Sequence, residues 1–86
     1  MHAKNPLPAA PCDDDLDATG LRCPLPVLKA RKRLKALAPG AVLRVLADDP
    51  AALVDIPHFC AEAGHALLAM REIAHPRHEY LIRKGG

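Results

Sequence analysis

Nine prolines in 86 residues restrict this chain to short helices and strands, because proline removes a backbone N–H and fixes φ. Pro6, Pro8 and Pro11 precede a run of three aspartates, and this composition disfavours both helix and strand. We therefore predict a disordered tail over residues 1–15 and a single domain over residues 16–86. A domain of this size has room for one small core and for no elaborate cleft.

The predicted core is aliphatic. Half of the residues are apolar, but one Phe, one Tyr and no Trp leave little aromatic surface for stacking on nucleic-acid bases. A formal charge of +2 does not by itself indicate a polyanion ligand. Three irregularly spaced cysteines and the lack of an apolar leader argue against a disulfide framework and favour the cytoplasm. No apolar run approaches the roughly 20 residues that span a bilayer.

The apolar pattern predicts the element order βαβαββ. The first strand is Leu16–Ala18, and an amphipathic helix then extends from Pro24 to the break at Pro39-Gly40. The run AVLRVLA over residues 41–47 predicts a mostly buried second strand.

The second helix is harder to delimit, because Pro57 could not donate a bond to Leu53 in a regular helix. We predict a shorter helix over residues 56–63, capped by Asp55 and followed by Gly64. Two further strands are predicted, over residues 66–73 and 79–83. Two helices and four strands favour an α/β (α+β) two-layer sandwich with both helices on one face of a four-stranded mixed sheet.

One cysteine lies at the predicted start of the first helix. Gly20 supplies a turn ahead of Cys23, and Pro24 and Pro26 suit the first helical turn, with Pro24 at the first helical position. Free N–H groups and the helix dipole favour an anionic sulfur there, with Arg22 adding positive charge. The effect is less than about one pKa unit, so the setting suits carrying a persulfide better than catalysis. The alternative is a plain structural cysteine.

The sequence resembles the TusA/SirA-like family of sulfur carriers. The matching segments are Leu16–Ala18, Gly20–Pro26, Ala47–Ala51, Asp55–Pro57, Phe59-Cys60 and Tyr80–Gly86. The resemblance implies the βαβαββ sandwich and a persulfide carrier rather than a stand-alone enzyme. Cys23 would accept sulfur from a cysteine desulfurase and pass it to an acceptor protein, and the PLP cofactor would belong to the donor. In the best-known branch the sulfur enters tRNA 2-thiouridine. Leu25 stands where the best-known member has Glu.

Two further groups of residues are candidates for the sulfur site and its partners. Asp48 and Asp49 end the second strand at the sheet edge that we expect to carry Cys23, or they cap the following turn. Five cations concentrate on the first helix: Lys29, Arg31, Lys32, Arg33 and Lys35. They form either a docking surface for an acidic partner or a solvated outer face.

The remaining cysteines and histidines are assigned no chemistry. Cys60 falls on an apolar helical stripe and is predicted to be buried, and Cys12 lies in the predicted tail. The spacing of His58, Cys60 and His65 matches no recognised zinc pattern, so we predict no metal site.

Several alternatives stay open. A C-terminal Gly-Gly also occurs in ubiquitin-like carriers of thiocarboxylate sulfur, although the βαβαββ order argues against that fold. The basic helix would also suit a non-enzymatic regulatory or RNA-binding module. The sulfur could instead serve molybdenum-cofactor maturation or sulfur oxidation. We expect a monomer when free, with no membrane and no direct nucleic-acid binding.

Overall fold

The structure, a computed structural model, describes residues 12–86 and contains a four-stranded sheet covered by two helices. The elements are β1 (Asp14–Asp17), α1 (Leu25–Lys35), β2 (Val42–Ala47), α2 (Ala52–Ala63), β3 (Ala66–Ala74) and β4 (Arg77–Arg83). The strand order is β1-β2-β4-β3. β1 pairs parallel with β2, whereas β4 pairs antiparallel with β2 and β3. The predicted βαβαββ sandwich with a mixed sheet is therefore confirmed.

The core lies between the helices and one face of the sheet. Along β2, Leu43, Val45 and Ala47 are buried and alternate with less buried residues, as the two-residue period of a strand requires. The helices contribute buried residues at helical spacing, namely Pro26, Ala30 and Leu34 from α1 and Ala52, Ile56 and Cys60 from α2. The predicted burial of Cys60 is confirmed. Within residues 12–86, neither helix has the length and apolar character needed to cross a bilayer.

The first strand begins earlier than the predicted start at Leu16. Asp13 donates its N–H to the Val42 oxygen at 2.7 Å and accepts the Val42 N–H on Oδ2 at 2.8 Å. Pairing with β2 therefore outweighs the low strand propensity of aspartate, and Asp14 and its neighbour enter β1. These two residues fall within the predicted tail, whereas residues 1–11 of that tail lie outside the described residues.

The second helix begins at Ala52 rather than at residue 56, so the prediction for this boundary is wrong. Pro57 lies inside the helix, and Asp55 is in its first turn rather than at its N-cap. The N–H of Ala52 donates to the backbone oxygen of Asp49 at 2.9 Å, so a turn leads directly into the helix. Core burial of Ala52, Ile56 and Cys60 favours the longer helix despite the one bond that the proline cannot donate.

The hairpin of β3 and β4 is longer than predicted. The strands extend to Ala74 and from Arg77, which leaves only two residues in the turn. The pairing shifts register between Leu67 and Ala69 and again near the turn. The peptide bonds preceding Pro24 and Pro76 are cis.

A chain of ion pairs covers the sheet face away from the helices. Glu79 is only 2% exposed there, and it accepts from Arg44 Nε at 2.5 Å and from Arg71 Nε at 2.7 Å. Arg44 also pairs with Asp15 at 3.2 Å. Burial opposes the charge of Glu79, but the hydrogen bonds from both arginines outweigh it and lower the pKa of this carboxyl.

Candidate functional site

Cys23 lies in the turn between β1 and α1. Pro24 is the N-cap of α1 rather than its first residue, and Pro26 is the second helical residue. The N–H of Leu25 donates to the backbone oxygen of Arg22 at 2.8 Å and closes the turn. This bond occupies the N–H of Leu25, so the helix start has one free donor fewer than predicted from the sequence. The helix therefore attracts an anionic sulfur less than predicted.

Two aspartates at the end of β2 hold this turn in place. The N–H of Gly20 donates to Asp48 Oδ1 at 2.9 Å, and the N–H of Cys23 donates to Asp49 Oδ2 at 2.6 Å. Gly20 has a φ of 84°, a conformation that favours glycine. Asp49 also accepts the N–H of Ala51 on Oδ1 at 3.3 Å. Asp49 thus combines both roles considered from the sequence, since it borders the cysteine and caps the turn into α2.

The charge of Arg22 is partly compensated. Its guanidinium lies 3.5 Å from Asp48 Oδ1, and its side chain is 69% exposed. Such an exposed pair contributes little energy and presents only a weak positive field to Cys23.

A groove of about 340 Å³ opens beside Cys23, between α1 and α2. Val27 and Arg31 line it from α1. The α2 side of the groove is formed by Asp55, His58, Phe59 and Glu62. These four residues recur at spacings of three and four, so they share one face of the helix. None of these four residues was predicted to belong to the site. Their helical spacing is the sequence signal that could have predicted a shared face.

The pKa of the Cys23 thiol is raised rather than lowered. The first cause is a hydrogen bond with the Asp55 carboxylate, and desolvation and the negative charges of Asp55 and Asp49 add to it. A carboxylate can only accept a hydrogen bond, so an acidic neighbour favours the neutral thiol. The pKa of empty Cys23 is therefore shifted in the direction opposite to the one expected from the helix start. Because α2 packs against α1, Asp55 lines the groove beside Cys23. The residues next to Cys23 in the sequence do not predict this.

The other cysteines lie in different surroundings. All three are free thiols, and Cys12 is exposed whereas Cys60 is buried. Burial raises the pKa of Cys60 to about 11, which makes it unreactive at neutral pH. His65 packs on Phe59 with 5.5 Å between ring centroids and accepts the Gly85 N–H on Nδ1 at 3.0 Å. In the part of the chain that the structure describes, no group of three or more His, Cys, Asp or Glu side chains could hold a metal ion.

The five predicted docking cations do not form one uniform surface. Arg31 lines the groove beside Cys23. A separate groove of about 320 Å³, next to Leu16 of β1, is lined by Lys29, Lys32 and Arg33. Arg33 is half-buried and pairs with Asp14 at 3.1 Å, so its charge is engaged within the chain. Lys35 is exposed in the last turn of α1.

Together these features define a small two-layer α/β protein that presents an exposed thiol at the start of a helix. The family described as Sulfurtransferase TusA matches residues 14–84. The chain therefore belongs to the TusA sulfurtransferase family, which supports a role as a sulfur carrier and confirms the predicted family.

A solved structure agrees with this assignment. The SirA-like protein from Desulfitobacterium hafniense superposes with a TM-score of 0.76 at 28% sequence identity. The match covers 86% of this chain and 100% of that chain. The similarity therefore extends over nearly all of the βαβαββ fold.

Proposed function

We propose that this protein carries sulfur as a persulfide on Cys23, loaded by a cysteine desulfurase and removed by an acceptor protein. The observation that carries the proposal is the position of Cys23, exposed in a turn at the mouth of a groove between two helices. Cys60 is buried, so it cannot reach a partner. Cys12 is exposed but lies outside the groove beside α1 and α2. A carrier of this kind works in the cytoplasm as a monomer that binds its partners in turn.

The transfer needs no cofactor on this chain. The Cys23 sulfur attacks the outer sulfur of the donor persulfide, an Sγ–S bond forms, and the donor sulfur–sulfur bond breaks. The donor cysteine leaves as a thiol, so no external oxidant is required. The PLP that generates the donor persulfide stays on the desulfurase.

The surface around Cys23 suits contact with a protein partner. Leu25 and Leu28 on α1 are 44% and 46% exposed, which gives the thiol an apolar border. Lys29, Lys32 and Lys35 lie on the same helix and are exposed. We assign them to docking of an acidic partner surface, because exposed charges steer association. Leu25 would contribute apolar contact where the best-known member of the family has Glu.

The proposed destination of the sulfur is 2-thiouridine in tRNA, with the acceptor protein rather than this chain binding the tRNA. Direct RNA binding is weakly supported, because Tyr80 is only 1% exposed and Phe59 is partly buried in the groove wall. A thiocarboxylate on the terminal glycines is disfavoured, because the βαβαββ order differs from that of ubiquitin-like carriers.

Intact mass spectrometry after incubation with a cysteine desulfurase and free cysteine tests the carrier function. We expect one added sulfur atom that a thiol reductant removes, on the wild type and on Cys12→Ser and Cys60→Ser. We expect none on Cys23→Ser, which should remain folded because the exposed Cys23 side chain contributes nothing to the core. Loading of folded Cys23→Ser would contradict the proposal, and added sulfur that survives reduction would indicate a thiocarboxylate.

A second experiment tests the destination. Loaded protein is mixed with candidate acceptor proteins and tRNA, and 2-thiouridine is measured by nucleoside mass spectrometry. Formation that depends on Cys23 supports tRNA thiolation. Transfer to a molybdenum-cofactor or sulfur-oxidation protein instead would replace that destination while leaving the carrier function in place.

A further inference from the structure

Residues 84–86, which follow β4 and are here called the strap, connect the C-terminal ends of the two helices. The backbone of Lys84 accepts the N–H of Gly40 at 2.9 Å and donates to the Ala41 oxygen at 2.8 Å. Its ammonium donates to the Leu37 oxygen at 2.7 Å, just beyond the end of α1. Lys84 therefore anchors the strap to the α1 side of the molecule.

His65 holds the other end of the strap. It follows Gly64, the C-cap of α2, and its Nδ1 accepts the N–H of Gly85 at 3.0 Å. The approach is close, because a Cβ at Gly85 would collide with the Gly64 oxygen. Only an unprotonated ring nitrogen can accept a hydrogen bond, so this contact requires a neutral imidazole with its proton on Nε2.

The same imidazole also contacts the wall of the groove beside Cys23. Its centroid lies 5.5 Å from the centroid of the Phe59 ring, and the two planes are tilted by 53°. Phe59 lines the groove together with Cys23. The His65 ring thus connects the strap on one side with the groove wall on the other.

The surroundings of His65 favour its neutral form. Burial, followed by the positive charge of Lys84, lowers the pKa of His65 from its usual value. The charged side chains at the adjoining ends of the neighbouring elements are exposed, namely Glu62 on α2, Lys35 on α1 and Arg83 on β4. At neutral pH the imidazole is therefore the acceptor that the bond from Gly85 requires.

We propose that His65 is a pH-sensitive latch that holds the strap across the end of α2 when neutral and releases it when protonated. A proton taken up from solvent at Nδ1 places a donor where the N–H of Gly85 needs an acceptor. The imidazolium charge also adds to the nearby charge of Lys84. The strap opens from Gly85 onward, whereas Lys84 keeps its bonds on the α1 side. Phe59 loses a fixed neighbour in the same event.

This inference concerns the folded chain and does not rest on the proposed carrier function. NMR spectroscopy of the full chain as a function of pH tests it. The nitrogen shifts of the His65 ring report protonation, the amide shift of Gly85 reports the hydrogen bond, and the ring signals of Phe59 report the groove wall. Melting curves at each pH verify that the chain is folded.

Two substitutions at the latch and one matched control separate protonation from other effects. His65→Asn offers a side-chain oxygen that can accept the Gly85 N–H and does not titrate. His65→Leu keeps an apolar contact for Phe59 but cannot accept. His58→Gln removes an exposed imidazole from α2 and is the control.

In the wild type, we expect the Gly85 and Phe59 signals to change with the midpoint of the His65 ring, below about pH 6.5. Protection of the Gly85 amide against hydrogen exchange, relative to an unstructured glycine at the same pH, should be lost across that midpoint. His65→Asn should stay closed through this pH range, and His65→Leu should be open throughout. His58→Gln should match the wild type.

Unfolding measurements supply a second readout. Because the unfolded chain binds the His65 proton more tightly than the folded chain, folding is favoured above the pKa of the unfolded chain. The wild type should therefore lose stability relative to His65→Asn as the pH falls from about 6.5 through the midpoint of the folded protein. Parallel pH profiles of the two proteins would contradict the latch.

The latch is also overturned if His65 titrates while Gly85 stays protected, if His65→Asn opens with the wild-type midpoint, or if His65 stays neutral until the chain unfolds. A response of Gly85 without a response of Phe59 would overturn the connection to the groove. None of these results depends on sulfur loading of Cys23. Failure of the latch and failure of the carrier function are therefore distinguishable.

Discussion

The backbone N–H of Cys23 donates to Oδ2 of Asp49 at 2.6 Å, although the two residues are 26 positions apart in the chain. This bond ties the turn that carries the thiol to the end of β2. Because Asp49 also accepts the N–H of Ala51, one side chain links the turn before α1 to the turn before α2. The position of the reactive cysteine is thus coupled to the start of α2.

Replacement of Asp49 by Ala should loosen the Cys23 turn. Two N–H groups lose their acceptor, and since both stay accessible to water we expect a loss of only about 1 kcal/mol in the free energy of unfolding. Amide hydrogen exchange should accelerate at Cys23 and Ala51, and the pKa of Cys23 should fall because a nearby negative charge is removed. Unchanged exchange at Cys23 would show that the bond does not order the turn.

Cys60 should remain unlabelled in the native protein. Its pKa is raised to about 11 by burial, and its side chain lies in the core. We expect iodoacetamide at neutral pH to modify it only after denaturant is added, while Cys12 reacts in the folded state. Cys60→Ser buries a hydroxyl, which should lower the unfolding free energy by about 1 to 3 kcal/mol. Peptide mapping and denaturant titration measure the two effects.

Reversal of Lys29 and Lys32 to Glu should slow sulfur transfer from the desulfurase several-fold at low salt. Their charges are exposed and mainly affect the rate of association with the desulfurase. The difference in transfer rate between variant and wild type should therefore decrease as salt screens these charges. Arg33 is excluded from this variant because it pairs with Asp14 within the chain. Reversal of Arg77 and Arg83, which are exposed on β4, provides a control with the same change in charge. Equal slowing by both variants would argue against a specific docking face.

Glu79→Gln should destabilise the protein at neutral pH by about 1 to 3 kcal/mol, because Arg44 and Arg71 lose their shared carboxylate. The lowered pKa of Glu79 in the folded state gives stability that is present above the pKa of the unfolded chain. That stability is lost as the pH falls through the folded pKa. The difference from the wild type should therefore shrink below about pH 4. A difference that is constant with pH would assign the effect to packing.

Most of the fold could be predicted from local sequence patterns. The alternation along β2, the buried stripe of α1 and the proline and glycine breaks are local patterns, and they predicted the βαβαββ order and the burial of Cys60. They also identified Cys23, since a cysteine followed by two closely spaced prolines at a helix start is visible without a structure. The ends of β1 and α2 were predicted less well, because strand pairing at Asp13 and core burial of Ala52 outweigh local propensity.

The surroundings of Cys23 depend on contacts between elements that are distant in the chain. Asp55 and Cys23 lie on either side of α1 and β2 in the chain, and no local pattern predicts that they line one groove. The local prediction favoured an anion through the helix start, whereas α2 packed against α1 places a carboxylate in the same groove. The pKa of Cys23 is raised, with Asp55 as the first cause, so the acidic neighbours outweigh the partial charge at the helix terminus. The direction of the pKa shift at Cys23 therefore depends on the packing of α2 and not on the residues next to Cys23 in the sequence.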